Sequence, residues 1–315
     1  MRRLTDTKYD IQKARISADN RLRIFPKELR EDITNPLREQ EEKLTKLMKA
    51  RLNAFPIWTE WLYPVKGIGV NLASSLISII SIKFKPVSNE IFKDLTKKFE
   101  KYPDLTEIHV TNDSNGGELM SVTREQWMFG LKTEKDMLIP CRRGIGAFPK
   151  VSSLWKYAGL SVENGWRPKR VKGKNLGYNS KLRVLCWKIA EQFNKLQTGK
   201  YKLEIMLRKR KLYDKLMDYE IVIDLKTGKE SYNILDATKC PKYDECVSKL
   251  KKAKKPSCKG HIHNMAKSNT VKLFMSHLWE KWRRLEGLPV RPSYAEEYLG
   301  HTTFSNPDDY LEEAK

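Results

Sequence analysis

The chain has 315 residues, a length typical of about two domains. Hydrophobic residues make up 40% of it, which is enough for a packed core and excludes a wholly disordered protein. With 61 Lys and Arg against 39 Asp and Glu, the formal charge is +22, and the pI is about 9.6. Such a charge indicates a polyanionic partner, either a nucleic acid or an anionic membrane surface.

Three features argue against a membrane or secreted protein. The longest apolar run, residues 72–82, contains serines and is far shorter than the ~18 residues that span a bilayer. The sequence starts with Met-Arg-Arg and lacks the apolar segment of a signal peptide. An odd number of cysteines, five, excludes a fully paired disulfide framework. We therefore expect a cytoplasmic protein with no membrane partner.

The N-terminal part divides into an arm and a helical region. Residues 1–25 are polar and weakly patterned, which indicates a loosely ordered arm. In residues 26–62, apolar side chains recur at spacings of three, four and seven, which is typical of a helix, and Pro56 predicts a kink or break. The apolar stripe is interpreted as a packing face, with a homodimer coil as the alternative.

A tight glycine turn comes next. The sequence Lys66-Gly-Ile-Gly-Val-Asn71 predicts a turn at Gly67 to Gly69 between a helix end and a buried helix. This is the hairpin signature of helix-hairpin-helix DNA-binding modules. Glycines let the backbone approach a phosphate, and the free N–H groups of the following helix face the anion. A second Gly-Ile-Gly, at residues 144–146, is interpreted as a plain turn.

A β-hairpin is predicted between the two glycine turns. Residues 106–111 and 119–123 alternate apolar and polar side chains around Asn112-Asp-Ser-Asn-Gly-Gly117. A short helix at 87–101 precedes this hairpin, and another, at 151–158, follows the second glycine turn.

The stretch 165–215 is the most basic part of the chain, with sixteen Lys and Arg against three acidic residues. It starts as a Gly- and Lys-rich loop and continues as two predicted helices, at 180–193 and 201–217. Trp187 is placed in the core, whereas Trp166 lies beside arginines and can stack on unpaired bases. Most of the basic side chains would contact phosphates. The candidate nucleic-acid-binding residues are Lys66, Gly67, Gly69, Asn71, Trp166, Arg167, Lys169, Arg170, Lys172, Lys174, Lys181 and Arg183.

The C-terminal part carries a Cys/His cluster, Cys240-x5-Cys246-x11-Cys258-x2-His261-x-His263. A structural zinc ion needs four such ligands in a tetrahedron and stabilises a loop too small to have its own core. We expect Cys240, Cys246, Cys258 and His261 to bind zinc, with His263 as the competing fourth ligand. The alternative is three free thiols in a lysine-rich loop. A helix is predicted at 266–285.

Catalytic motifs are not evident. The sequence has neither a Walker-type phosphate loop nor a Gly-x-Ser-x-Gly elbow. Asp104, Glu107, Asp113 and Glu118 surround the predicted hairpin, where acidic residues are ordinary in turns and at strand edges. We therefore expect a binding protein, with a catalytic role kept as the alternative.

Three segments suggest a family. They are residues 65–77 (VKGIGVNLASSLI), 147–160 (AFPKVSSLWKYAGL) and 172–183 (KGKNLGYNSKLR). In this order they resemble the C-terminal domain of Piv/MooV-type DEDD transposases, in which a helix-hairpin-helix leads to a Gly-rich basic loop and an Arg-bearing helix. The resemblance covers about residues 60–193, interrupted by an insertion at 83–143.

The sequence departs from this family in two places. The family's N-terminal RuvC-like domain supplies the acidic metal ligands and is much longer than the roughly sixty residues that precede the glycine turn here. The family's catalytic serine is replaced by Asn164-Gly165, which leaves Ser161 and Ser180 as alternative nucleophiles. The resemblance therefore implies DNA binding without strand-transfer chemistry.

We thus expect a mainly α protein with a helix-hairpin-helix DNA-binding core, an inserted β-hairpin and a C-terminal zinc-stabilised segment. The expected domains are 1–58, 59–218 and 219–315. The expected function is binding of double-stranded DNA, mainly through its backbone, in association with the nucleoid. The alternatives are a diverged transposase or recombinase with metal-dependent strand cleavage, and an RNA-binding module.

Overall fold

The structure is a computed structural model that describes residues 1–80, 84–112, 118–124, 127, 131–132, 137–140, 144–162, 167–168, 170–173, 176–224, 230–248, 258–291 and 305–311. As predicted, the chain is mainly helical. It divides into two compact units, one formed by Met1–Leu76 with Lys150–Lys315 and the other by Ile77–Pro149. The second unit contains the segment 83–143 that the sequence marks as an insertion.

The larger unit begins with a helical hairpin. Helices α1 (Arg2–Arg21) and α2 (Lys27–Leu52) pack along each other, and Arg15 Nε lies 2.5 Å from Glu41 Oε1 in an ion pair between them. The prediction of a loosely ordered arm at residues 1–25 is therefore wrong. The sequence of α1 is polar overall and lacks a clear apolar stripe, so its helix depends on packing that the local pattern does not reveal.

A turn at Gly67 to Gly69 joins two helical segments, at the position where the sequence predicts a turn. A π-helical turn (Trp58–Leu62) leads into it, and α3 (Val70–Ile80) follows. The central Ile68 is buried, as are Ala73 and Leu76 on the inner side of α3. The apolar residues of this region therefore anchor the turn while its glycines stay near the surface.

The smaller unit combines a helix with short antiparallel strands. One sheet has the order β1 (Phe84–Val87), β5 (Met137–Pro140), β4 (Leu131–Lys132), and β2 (Glu107–Asn112) pairs separately with β3 (Glu118–Thr123). The β2–β3 pair is the predicted hairpin. Helix α4 (Asn89–Lys101) buries Leu95 and Phe99 against Ile108 and Val122. The first sheet was not predicted because its strands have only two to four residues.

The rest of the larger unit alternates helices with one β-hairpin. It contains α5 (Val151–Tyr157), α6 (Ser180–Lys195), α7 (Lys200–Leu216), β6 (Asp218–Ile223), β7 (Glu230–Asp236), α8 (Tyr243–Ser248) and α9 (Lys259–Leu285). Strands β6 and β7 are antiparallel. Helices α6 and α7 match the predicted ones, whereas α9 begins about two turns before the predicted residue 266. The β6–β7 hairpin was not predicted.

The main core of the larger unit surrounds the C-terminal half of α9, which packs on α5, α6 and α7. The buried ring of Phe274 contacts the buried rings of Trp61, Phe193 and Tyr201. Residues 305–311 lie against this core, because Trp61 Nε1 donates a hydrogen bond to the carbonyl oxygen of Pro307 at 3.1 Å. This core holds α6 rigidly in place.

Candidate nucleic-acid interface and cysteine cluster

Helix α6 presents one basic face to solvent. We define the α6 face as Lys181, Val184, Trp187, Lys188 and Lys195, which are all exposed and recur at helical spacings. The opposite side is buried and contains Leu182, Leu185, Ile189 and Phe193, as predicted. Placing Trp187 in the core is wrong, because its side chain is 60% exposed. It lies about 200° around the helix from Leu185, on the side away from the core.

The glycine turn lies beside the C-terminal end of α6. Lys66 Nζ donates a hydrogen bond to Thr198 Oγ1 at 2.5 Å, just beyond that end. Gly67 has a φ of +94°, and a Cβ there would lie 3.0 Å from Leu196 Cδ1, so a side chain at this position would be strained and crowded. Gly69 is exposed, and no described atom lies within 4 Å of the place its Cβ would occupy. The backbone at Gly69 is therefore open to a large ligand.

Helix α1 brings further polar groups to the start of α3. Lys8 Nζ donates a hydrogen bond to Asn71 Oδ1, and the ammonium of Lys188 lies 4.8 Å from the ring centroid of Tyr9. Lys8, Asn71 and Lys188 line a small pocket. Burial lowers the pKa of Lys8, which shows that its ammonium is partly withdrawn from water. Lys181, farther along the α6 face, lies 3.7 Å from a carboxylate oxygen of Asp6.

The arginines of the basic loop have different environments. Arg167 donates hydrogen bonds to the hydroxyl and the carbonyl oxygen of Ser268, and burial lowers its pKa. Arg183 donates a hydrogen bond to the carbonyl oxygen of Pro168 at 2.5 Å and lies over the ring of Tyr178. Both guanidinium groups thus hold the loop against the helices. Arg170 and Lys172 are exposed, while Trp166, Lys169 and Lys174 lie outside the described residues.

The predicted zinc ligands lie at the N-terminal end of α9. Cys240 follows β7, Cys246 lies in α8, Cys258 is the residue before α9 and His261 lies in its first turn. Cys240 Sγ is 3.0 Å from His261 Nδ1. Burial raises the pKa of the Cys258 thiol, and hydrogen bonds with Cys240 and Cys246 raise it further. As the side chains stand, no group of three or more Cys, His, Asp or Glu in the described ranges is arranged to hold a metal ion.

The competing histidine faces a different set of groups. Burial lowers the pKa of His263, and so do the positive charges of Lys267 and Lys209. Lys267 itself forms an ion pair with Glu191 of α6. His261, and not His263, therefore contacts the cysteines, which distinguishes two residues that the sequence left as alternatives.

The main core also contains a buried titratable pair. Tyr201 Oη and His277 Nδ1 are 2.8 Å apart, and burial lowers the pKa of His277 to about 4. The ring of Tyr310 packs against both of them in tilted arrangements. At neutral pH the imidazole is uncharged and belongs to the packing of the core.

Comparisons with known proteins identify no relative. No family model, curated protein or solved structure gives a significant match to this chain. The resemblance to a transposase domain therefore stays a prediction from the motifs. In the described parts of the chain, no helix has both the length and the apolar composition needed to cross a bilayer.

Proposed function

We propose that the chain binds double-stranded DNA, mainly through backbone phosphates, with the α6 face and the adjoining glycine turn as its main contact surface. The observation that carries this proposal is the row Lys181, Lys188 and Lys195, exposed at seven-residue intervals on one rigid helix. The row is about 21 Å long, at 1.5 Å per residue. A row of this length suits several successive phosphates of a duplex whose helical repeat is about 34 Å.

The start of α3 adds a second group of phosphate contacts. The exposed backbone at Gly69 leads directly into α3, whose first N–H groups and helix dipole favour an anion. Lys8 and Lys188 flank the same pocket, and Lys8 is partly desolvated, so an anion there would gain more from its charge than in bulk water. Hydrophobic packing under the turn keeps these groups in a fixed arrangement.

The proposal keeps the DNA-binding part of the resemblance and assigns no strand cleavage. Arg170 and Lys172, exposed on the basic loop, extend the candidate surface. Arg167 and Arg183 act on this surface indirectly, because their guanidinium groups brace the loop from within. The nucleic acid would thus contact lysines and backbone more than arginines, which favours phosphate contacts over bidentate recognition of guanine.

One observation favours a second candidate, binding of single strands or RNA. Trp187 projects into solvent halfway along the basic row, about 100° around the helix from Lys188, and an exposed indole can stack on an unpaired base. In a duplex the bases are already stacked, so Trp187 would contribute little there. Replacement of Trp187 by Ala should therefore leave duplex affinity nearly unchanged, and a decrease of tenfold or more in affinity for single strands would favour this candidate.

Fluorescence anisotropy against salt concentration tests the main proposal. The triple variant Lys181→Gln/Lys188→Gln/Lys195→Gln should weaken binding to a labelled duplex and reduce the slope of log affinity against log salt by about 2.7, at about 0.9 for each phosphate that is no longer neutralised. The matched control is Lys93→Gln/Lys97→Gln/Lys101→Gln on α4, which removes the same charge from exposed positions of the smaller unit. Equal slopes for the two variants would refute the α6 face as the binding surface.

A plasmid assay with the wild-type chain distinguishes DNA binding from DNA cleavage. Supercoiled plasmid incubated with Mg²⁺ should migrate slowly in a native gel and remain supercoiled after the protein is removed. Nicked or linear plasmid after deproteinisation would instead favour the transposase or recombinase alternative.

A further inference from the structure

Three separate stretches of the chain meet at the N-terminal end of α9. Cys240 arrives from β7, Cys246 from α8, and Cys258 and His261 from the beginning of α9 itself. The 3.0 Å separation of Cys240 Sγ and His261 Nδ1 joins the first and third of these stretches, and Cys240, Cys246 and Cys258 pack in one small cluster that includes all three. Cysteine and histidine side chains, the types that bind zinc, are therefore gathered at this end of α9.

The backbone at Cys258 is unusual. Its φ of +47° is the left-handed conformation, and no other non-glycine residue in the described ranges has a positive φ. A side chain in this conformation is unfavourable and persists only where the surroundings impose it. Here it turns the chain into α9 with the Cys258 thiol only 6% exposed, inside the cluster. Cys258 thus combines a backbone conformation that is unfavourable for a side chain with burial of that side chain in the cluster.

The spacing of the side chains is close to that of a shared metal ion. Around tetrahedral zinc, with Zn–S of about 2.3 Å and Zn–N of about 2.05 Å, a sulfur and a nitrogen ligand are about 3.6 Å apart. Cys240 Sγ and His261 Nδ1 are roughly half an ångström closer because they are hydrogen-bonded directly. Small side-chain rotations would exchange that hydrogen bond for two bonds to one ion.

The apolar core around the cluster is small compared with the main core. The buried residues of the cluster are Tyr213, Met217, Ala237, Cys240, Cys258 and Ile262. From the adjoining β6–β7 hairpin, Tyr219, Tyr232 and Ile234 pack against the cluster and are partly buried, whereas Val222, Ile223 and Leu235 are each about half exposed. Regions with such small cores are commonly stabilised by a structural metal.

We propose that Cys240, Cys246, Cys258 and His261 bind one structural Zn²⁺ ion, which fastens β7 and α8 to the beginning of α9. Each thiol releases its proton on binding, so that three thiolates, one neutral imidazole and the ion carry a net charge of about −1. The proposal is independent of DNA binding, since no residue of the α6 face takes part.

Metal content tests the proposal directly. The full chain, saturated with Zn²⁺ and dialysed, should retain one equivalent by elemental analysis. Its Co²⁺ form should show the visible bands of tetrahedral cobalt together with thiolate-to-cobalt charge transfer. Binding of clearly less than one equivalent by the wild-type chain, or an octahedral cobalt spectrum, would overturn the proposal without any variant being made.

The two histidines provide a matched pair of variants. His261→Ala should weaken zinc binding by about a hundredfold or more in competition with a chromophoric chelator, since removal of a ligand has a larger effect than the 10- to 100-fold typical of outer-shell changes. His263→Ala should bind zinc like the wild type. Cys258→Ser should lose the metal and Cys186→Ser, in α6, should keep it. Retention by His261→Ala with loss by His263→Ala would show that the assigned ligand set is wrong.

Discussion

The two ends of α9 are held in place by different means. Toward its C-terminus, Phe274 is fully buried among the rings of Trp61, Phe193 and Tyr201. At its N-terminus, Ile262 is buried in a small cluster in which two cysteines take the place of larger apolar side chains. The first end lies in the larger apolar core, where burial contributes roughly 25 cal/mol for each Å² removed from water. The second end has a smaller apolar core, where the proposed metal ion would add bonds between side chains.

The largest effect is expected from Phe274→Ala. Removal of a fully buried phenylalanine should lower the free energy of unfolding by about 3–5 kcal/mol, because the packing against three other rings is removed and a cavity forms. Residues 262 and 274 are about 18 Å apart along the helix, so the two ends should act independently. Urea unfolding with and without a chelator measures this. If the destabilisation by Phe274→Ala changed when the chelator was added, the two ends of α9 would not be independent.

A smaller effect, about 3 kcal/mol, is expected from acid. His277 has a pKa of about 4 in the folded chain against 6.5 for an ordinary histidine, mainly because of burial. The unfolded chain therefore binds a proton first as the pH falls, and stability is lost between pH 6.5 and 4. His277→Gln keeps an acceptor for the Tyr201 hydroxyl and should flatten this part of the stability profile. His109→Gln, at an exposed position of the smaller unit, is the control for the substitution itself.

Whether the sequence could predict an element depends on whether a local pattern or a packing neighbour determines it. Helices α6 and α7 follow from apolar residues at helical spacing, and the β2–β3 hairpin follows from strict alternation around a glycine-containing turn. Helix α1 and the exposed position of Trp187 could not be inferred in this way. Both depend on which neighbours pack against a helix. An aromatic residue such as Trp187 can lie on the buried side or on the exposed side of a basic helix. The seven-residue recurrence of lysine at 181, 188 and 195 was a readable signal for the α6 face.

The cysteine cluster shows the same limit at the level of single residues. Spacing alone predicts which four or five side chains belong together, but it leaves His261 and His263 nearly equivalent. The difference arises from the helix. Two residues correspond to about 200° of rotation, so if one histidine faces the cysteines the other faces away from them. The sequence could not locate the start of α9 accurately enough to choose, because α9 begins at Lys259, well before its apolar pattern becomes regular.

The smallest expected effect distinguishes stability from binding at the glycine turn. Gly67→Ala should cost about 1–2 kcal/mol, because its φ of +94° is unfavourable for alanine and the added Cβ meets Leu196 beside the main core. Gly69→Ala should cost less than about 0.5 kcal/mol, since its Cβ would enter open space. Under the proposed function, the two variants have the opposite order of effects on DNA affinity. A methyl group at exposed Gly69 would stand between the backbone and a phosphate. Gly69→Ala should therefore weaken duplex binding although it unfolds like the wild type. Thermal unfolding and anisotropy on both variants measure the two orders. Equal duplex affinity of wild type and Gly69→Ala would remove the turn from the interface and leave binding to the lysines of the α6 face.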